Sequence, residues 1–287
     1  MWAEPNDDVI PHLDCPLCHN SDRRFIVGTW EDPIGVARCT ACGLVHTTGR
    51  HATQPVASSF VLGGAARRQT RQAFDLYDRL LHGRLRTPMQ GAAALDIGCR
   101  GGAWLDQLQL WGYHTEGTDT DPNPAAATHR VYEVDADGSA DLGRRYEVVS
   151  LIDQLDLVER PAAALHFAAR HLAPGGVVII EVPNWNHSRS VLPDGIELGQ
   201  QVAFYDRDSL RDAVLAVGLD PLAIWSAPGV LDRAIATTRA QQTRSGTPNF
   251  LRRTLSLAER ALSLASDASD KGAKLVMVAH RAMDDAH

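Results

Sequence analysis

Four of the five cysteines in this 287-residue chain fall within 28 positions, as Cys15-Pro-Leu-Cys18 and Cys39-Thr-Ala-Cys42, with twenty residues between the two pairs. A CxxC turn presents two thiolates to one ion while its backbone amides partly offset their charge, and two such turns complete the tetrahedral shell that zinc prefers. A closed four-sulfur shell predicts a structural metal, because a catalytic zinc keeps a position open. His19 and His46 adjoin the knuckles, but Cys15, Cys18, Cys39 and Cys42 suffice. Cys99 stands apart and is expected to take no part.

The second constellation is Leu95-Asp96-Ile97-Gly98-Cys99-Arg100-Gly101-Gly102-Ala103-Trp104-Leu105, an apolar strand running into a glycine-rich turn and then a helix. Such a turn brings a ligand against backbone amides at a helix N-terminus. Asp119 follows Gly98 by 21 residues. There, at the end of the next predicted strand, a carboxylate can hold both hydroxyls of a ribose, so the pair reads as a site for a nucleoside-containing cofactor.

The elements that must position these residues follow from hydrophobic periodicity. A small zinc ribbon is predicted over 12–50, with short strands at 25–28 and 36–38 leading between the knuckles; it is too small to fold without its metal. Residues 51–90 read as a linker and a covering helix, in which Phe74, Tyr77, Leu80, Leu81 and Leu85 recur at helical spacing. From 91 to 287, short apolar runs alternate with helical stretches, the pattern of an α/β domain whose mostly parallel sheet is doubly wound. Seven strands are predicted, at 92–97, 113–118, 131–134, 146–152, 177–182, 222–225 and 274–280. Helices are expected at 104–111, 162–172 and 209–217, the second stopped by Ala173-Pro174-Gly175-Gly176. The long connection at about 226–273 carries a helical pattern over 250–266. An edge helix, an active-site lid and a homodimer contact stay open as its role.

The order and spacing of several stretches carry a resemblance. Asp96-Ile97-Gly98-Cys99-Arg100-Gly101-Gly102, Glu116-Gly117-Thr118-Asp119-Thr120-Asp121-Pro122, Tyr146-Glu147-Val148-Val149-Ser150-Leu151, Leu172-Ala173-Pro174-Gly175-Gly176-Val177 and Glu181-Val182-Pro183-Asn184 together resemble class I S-adenosylmethionine-dependent methyltransferases. With Arg38-Cys39-Thr40-Ala41-Cys42-Gly43-Leu44-Val45 added, the chain is similar to the subgroup carrying an N-terminal zinc ribbon, which includes enzymes of deoxysugar and other natural-product pathways. The resemblance implies a Rossmann-like fold and S-adenosylmethionine as cofactor. It implies that Gly98 and Gly102 border the methionine part, that Asp119 with Thr120 holds the ribose, and that Asp135 lies near the adenine amino group. Ser150 and Leu151 would line the same pocket. For Asp135 a solvated acidic turn with Asp137 is an equal reading.

Three positions depart from the family. Arg100 replaces a second glycine and could pair with the cofactor's carboxylate. Asp156-Leu157 stands where many relatives have Glu-His, and Ala203 stands where a histidine is usual. The general-base candidates that remain sit where strand ends gather around the crevice: His187 first, because imidazole titrates near neutrality, then Tyr205 and Asp153.

The expected function is methyl transfer to O, N or C of a small-molecule acceptor, with a non-transferring cofactor-binding protein or an RNA methyltransferase as rival readings. The net charge of −7 opposes nucleic acid. No stretch approaches the roughly 18 apolar residues of a membrane span, and the acidic start is unlike a secretory signal, so a cytoplasmic protein is expected.

Overall fold

The computed structural model describes residues 9–11, 14–28, 34–51, 88–122, 128–134, 140–187, 201–227, 270 and 272–281. The covering helix in 51–90, Asp135 and the 250–266 helix lie outside these residues.

Seven strands form the main sheet: β6 (Ala93–Ile97), β7 (His114–Asp119), β8 (Arg130–Glu133), β9 (Tyr146–Ile152), β10 (Leu172–Pro183), β12 (Leu219–Ala227) and β13 (Lys274–Arg281). Their order is β12-β13-β10-β9-β6-β7-β8. β8, β7, β6, β9 and β10 run parallel, while β13 is antiparallel to both β10 and β12. The chain winds outward from β6 to β8 and then returns to place β9 on the other side of β6. Ligands gather at such a reversal, outside the strand C-termini.

The sheet is covered on both faces, which explains why β6 is buried at every position. Leu95, Ile97, Tyr146 and Leu151 point into one core, and Ala94, Val148 and Ile179 into the other. Helix α1 (Ala103–Leu110) lays Trp104 and Leu108 on the second face. α2 (Pro161–His171) starts with proline, which is preset for a first helical turn. Together with α3 (Arg207–Leu215), it covers the first face through Ala164, Leu165, Leu210 and Val214.

Expected strands and helices shift by one to three residues at most ends, with one larger difference. β10 begins at Leu172, five residues early, because Leu172 pairs with Tyr146 before the proline-glycine turn shifts the register to Val177 and Val148. A side chain at Gly176 would meet the carbonyl of Tyr146 at 2.9 Å, so only glycine lets the strands close there.

The amino-terminal region is not a free-standing ribbon. β2 (Arg23–Val27), β3 (Val36–Cys39) and β4 (Val45–Thr47) make an antiparallel sheet, and its fourth strand is β11 (Ala203–Phe204), more than 150 residues further on. Ala203 pairs with His46 and Phe204 with Val45. Cys15, Leu17, Cys39 and Leu44 belong to the same buried cluster as α2 and α3. A small separate sheet pairs β1 (Val9–Pro11) with β5 (Gly49–His51).

Asp206 caps α3. Its carboxylate accepts from the Ser209 amide at 2.9 Å, and the Ser209 hydroxyl accepts from the Asp206 amide at 3.0 Å. Asp206→Ala should therefore lower stability by about 1 kcal/mol in a denaturant titration, an unchanged midpoint counting against the cap.

Candidate functional site

The glycine turn leaves β6 at the reversal point. Gly98 and Gly102 have φ of +71° and +73°, and Gly102 precedes α1. A side chain at Gly98 would fall 2.4 Å from the Gln154 side chain, so glycine is required both for the backbone conformation and for that contact. Arg100 also has a left-handed backbone, with φ +50°. A glycine would adopt this freely, which accounts physically for the family's preference at this position.

Arg100 is held at both ends. Its amide donates to the Asp119 carboxylate at 2.7 Å, and its guanidinium donates to the carbonyl of Asp153. Asp119 ends β7 and is buried; its other oxygen accepts from the Asp121 amide at 3.1 Å. Each carboxylate oxygen keeps a further acceptor position, so two vicinal hydroxyls can still be received. Thr120 follows and is exposed.

Ser150 and Leu151 sit deeper than expected. Ser150 is fully buried, and its hydroxyl bonds to Asp96 at 2.7 Å and to the carbonyl of Leu95. Leu151 lies in the main core. Ser150 thus supports Asp96 directly beneath the turn. Burial pushes the Asp96 carboxyl up to about 7 against the pull of the Ser150 hydroxyl.

Of the three base candidates, Tyr205 is turned away from the crevice. It is fully buried, shares a cluster with Cys15 and Cys39, and its hydroxyl has no partner among the described residues. Burial, reinforced by the charge of Asp156, raises its hydroxyl well above the ordinary tyrosine value, the opposite of what a base needs. Pairing of Phe204 with β4 is what places Tyr205 in this core. Asp153, with φ +50°, is ion-paired to Lys274. His187 is half-buried beyond β10, its amide bonded to the Asn184 carbonyl. It follows Trp185, which packs against Phe204 at 5.1 Å in a cluster with Val36 and Val45.

Asp156 stands where relatives have an acid. It is buried, accepts from Gln201 at 3.0 Å, and its carbonyl receives the amides of Val202 and Ala203. Burial first, then the field of Asp153, push its carboxyl up to about 6. The neighbouring Leu157 is buried and cannot replace an imidazole. Sequence reasoning missed Asp96 and Glu181 although both lie within quoted motifs, and missed Lys274 entirely. Only its position at a strand end on the crevice side could have pointed to Lys274.

The four cysteines converge: their sulfurs all lie within 4.8 Å of one another. Cys15–Cys42 and Cys18–Cys39 are each 3.6 Å apart. With zinc–sulfur bonds of about 2.3 Å, a tetrahedron has edges of about 3.8 Å, so the sulfurs fit a zinc ion. The hydrogen bond between Cys15 and Cys42 lowers the first thiol and raises the second, as for two sulfurs sharing one proton. Cys99 lies apart, under the turn against Gly117.

The methyltransferase-domain family matches residues 65–224, over half of the chain, including the glycine turn, Asp119 and Asp153. The chain belongs to this family of S-adenosylmethionine-dependent methyltransferases. A ubiquinone biosynthesis O-methyltransferase of Cereibacter sphaeroides is 29% identical over 175 residues, covering 53% of this chain and 69% of that one. One from a Caulobacter species is 27% identical over 179 residues, covering 54% and 65%. The fold is also that of the 1,6-didemethyltoxoflavin-N1-methyltransferase of Burkholderia thailandensis, at 15% identity, a TM-score of 0.50, and coverage of 91% of this chain and 99% of that chain. No helix among the described residues is long and apolar enough to cross a membrane.

Two outcomes follow. Asp119→Ala should weaken S-adenosylhomocysteine binding by roughly tenfold to several hundredfold in calorimetry, through two lost charge-assisted bonds. It should also cost some stability, because the amides of Arg100 and Asp121 lose their acceptor. For Asp96, the folded value of about 7 lies above the ordinary 3.8, so the folded state holds the proton more tightly. Its stabilising contribution is full below about pH 4 and is lost as pH rises through about 7. Between about pH 5 and pH 8 the wild-type melting temperature should fall relative to that of Asp96→Asn; parallel curves would refute the assignment.

Proposed function

We propose that the chain transfers a methyl group from S-adenosylmethionine to oxygen, nitrogen or carbon of a small metabolite, in natural-product biosynthesis. The observation that carries this reading is Asp119, buried at the end of β7, hydrogen-bonded to the glycine turn and keeping free acceptor positions. Relatives named as an O-methyltransferase of ubiquinone biosynthesis and an N1-methyltransferase of 1,6-didemethyltoxoflavin support a small acceptor reached through O or N. The net charge of −7 weighs against nucleic acid.

The cofactor supplies an electrophilic methyl group on a sulfonium. The chain's own residues bind and align. Asp119 and Thr120 receive the ribose hydroxyls, Gly98 and Gly102 border the methionine part, and Asp135 is assigned to the adenine amino group. Arg100 keeps guanidinium N–H groups beyond the one given to Asp153, and these can meet the cofactor's carboxylate. Ser150 and Leu151 act from behind, through Asp96 and the core. Alignment of donor and acceptor supplies a large share of such a rate, and His187 or Asp153 receives the acceptor's proton where one is released.

The amino-terminal region, over 12–50, is read as a zinc ribbon of structural role, with 51–90 as linker and covering helix and 91–287 as the catalytic domain carrying an insertion at about 226–273. Because β11 completes the ribbon's sheet, the ion's influence extends past residue 50.

Protein purified without chelator should carry one zinc per chain by elemental analysis and bind S-adenosylhomocysteine in calorimetry. Binding with no turnover on phenols, catechols and amines would favour a non-transferring protein, and no binding would sink the enzymatic reading. Cys39→Ser should lower the melting temperature and zinc content while leaving cofactor affinity within about threefold, because the glycine turn does not touch the ribbon.

A further inference from the structure

Two residues of the crevice are both held in the left-handed backbone region although neither is glycine: Arg100, with φ +50°, and Asp153, with φ +50°. They are also bonded to each other, the Arg100 guanidinium donating to the Asp153 carbonyl. Such conformations persist only where the surroundings over-determine them.

What over-determines Asp153 is visible on its far side. Its amide donates to the Glu181 carbonyl at 3.0 Å, and its carboxylate pairs with the ammonium of Lys274. Lys274 is the first residue of β13, in register with Pro183 at the crevice end of β10. Its ammonium reaches across that strand end and also lies 3.4 Å from the Glu181 carboxylate. Burial works against this charge, but the carboxylates of Asp153 and Glu181 outweigh it and hold the ammonium well above the ordinary lysine value. The next residue, Gln154, lays its side chain on Gly98. The segment after β9 therefore touches the glycine turn twice, at Arg100 and at Gly98, and is anchored from behind by one cation.

We propose that Lys274 is a positioning residue for cofactor binding: by pairing with Asp153 and Glu181 it fixes the segment after β9, and through Asp153 and Gln154 it holds the glycine turn in its ligand-ready shape. The ion pairs of Lys274 are with Asp153 and Glu181, not with the turn. It acts through Asp153, whose carbonyl orients Arg100, whose amide in turn fixes the Asp119 carboxylate. The inference rests on reading the glycine turn as the cofactor site.

The test uses the full-length, zinc-replete protein and S-adenosylhomocysteine, so no acceptor is needed. Lys274→Met should weaken binding about tenfold in calorimetry, and Lys274→Arg, which keeps a cation within reach of both carboxylates, should restore affinity to within about threefold. Arg144→Ala serves as control. It removes an ion pair of Glu116 near the start of β9, away from the crevice, and should cost stability without changing affinity. Should Lys274→Met fail to fold, Asp153→Asn removes the same pair from the other side and is expected to show the same loss.

Unchanged affinity in Lys274→Met would overturn the proposal. So would an equal loss in Lys274→Met and Lys274→Arg, or a loss that Arg144→Ala reproduces, since either would mark general loosening. A wild-type protein that does not bind S-adenosylhomocysteine would instead overturn the cofactor reading itself.

Discussion

The amide of Arg100 and the carboxylate of Asp119 meet at 2.7 Å, and the geometry of the crevice depends on that contact. It ties the turn after β6 to the end of β7, two parallel strands whose register is fixed from Ala93 and His114 to Ile97 and Thr118. The carboxylate is thereby oriented before any ligand arrives, which lowers the ordering that binding would otherwise require. Around this contact the turn needs glycine at Gly98 and Gly102, and accepts arginine in a glycine conformation at position 100 because both ends of that residue are bonded.

A second constraint joins the cysteine cluster to this crevice. β11 adds to the edge of the cysteine-bearing sheet, and the same short segment is fastened to the loop after β9 by Asp156, whose carbonyl takes the amides of Val202 and Ala203. Tyr205 follows into the shared core, and Trp185 closes over Val36 and Val45. The loop that carries His187 therefore rests on the cysteine-bearing sheet. A region of this size, which cannot bury enough surface alone, gains a core by borrowing one.

Much of the main sheet was legible because buried parallel strands are mostly apolar runs; 146–152, between Arg145 and Asp153, has identical expected and observed limits. The cysteine cluster was legible because two CxxC turns at this spacing bring four thiolates within reach of a single ion. β11 was not: two residues, Ala203 and Phe204, make no periodic signal, and their partner lies more than 150 positions away. Tyr205 misled for the same reason, since its burial is set by that distant pairing and not by its neighbours. Lys274 escaped because its role comes from a register across β10, which no local pattern encodes. Ser150 was placed on the correct strand but one layer too shallow, because which face of β9 meets the turn depends on Asp96 across the sheet.

The account stands most directly on where the nucleoside lies. A crystal structure of the full-length protein with S-adenosylhomocysteine would show it. The account predicts ribose hydroxyls on the two oxygens of Asp119 while the Arg100 amide stays bonded to that carboxylate. A nucleoside bound elsewhere, or an Asp119 carboxylate swung away from the turn, would contradict it.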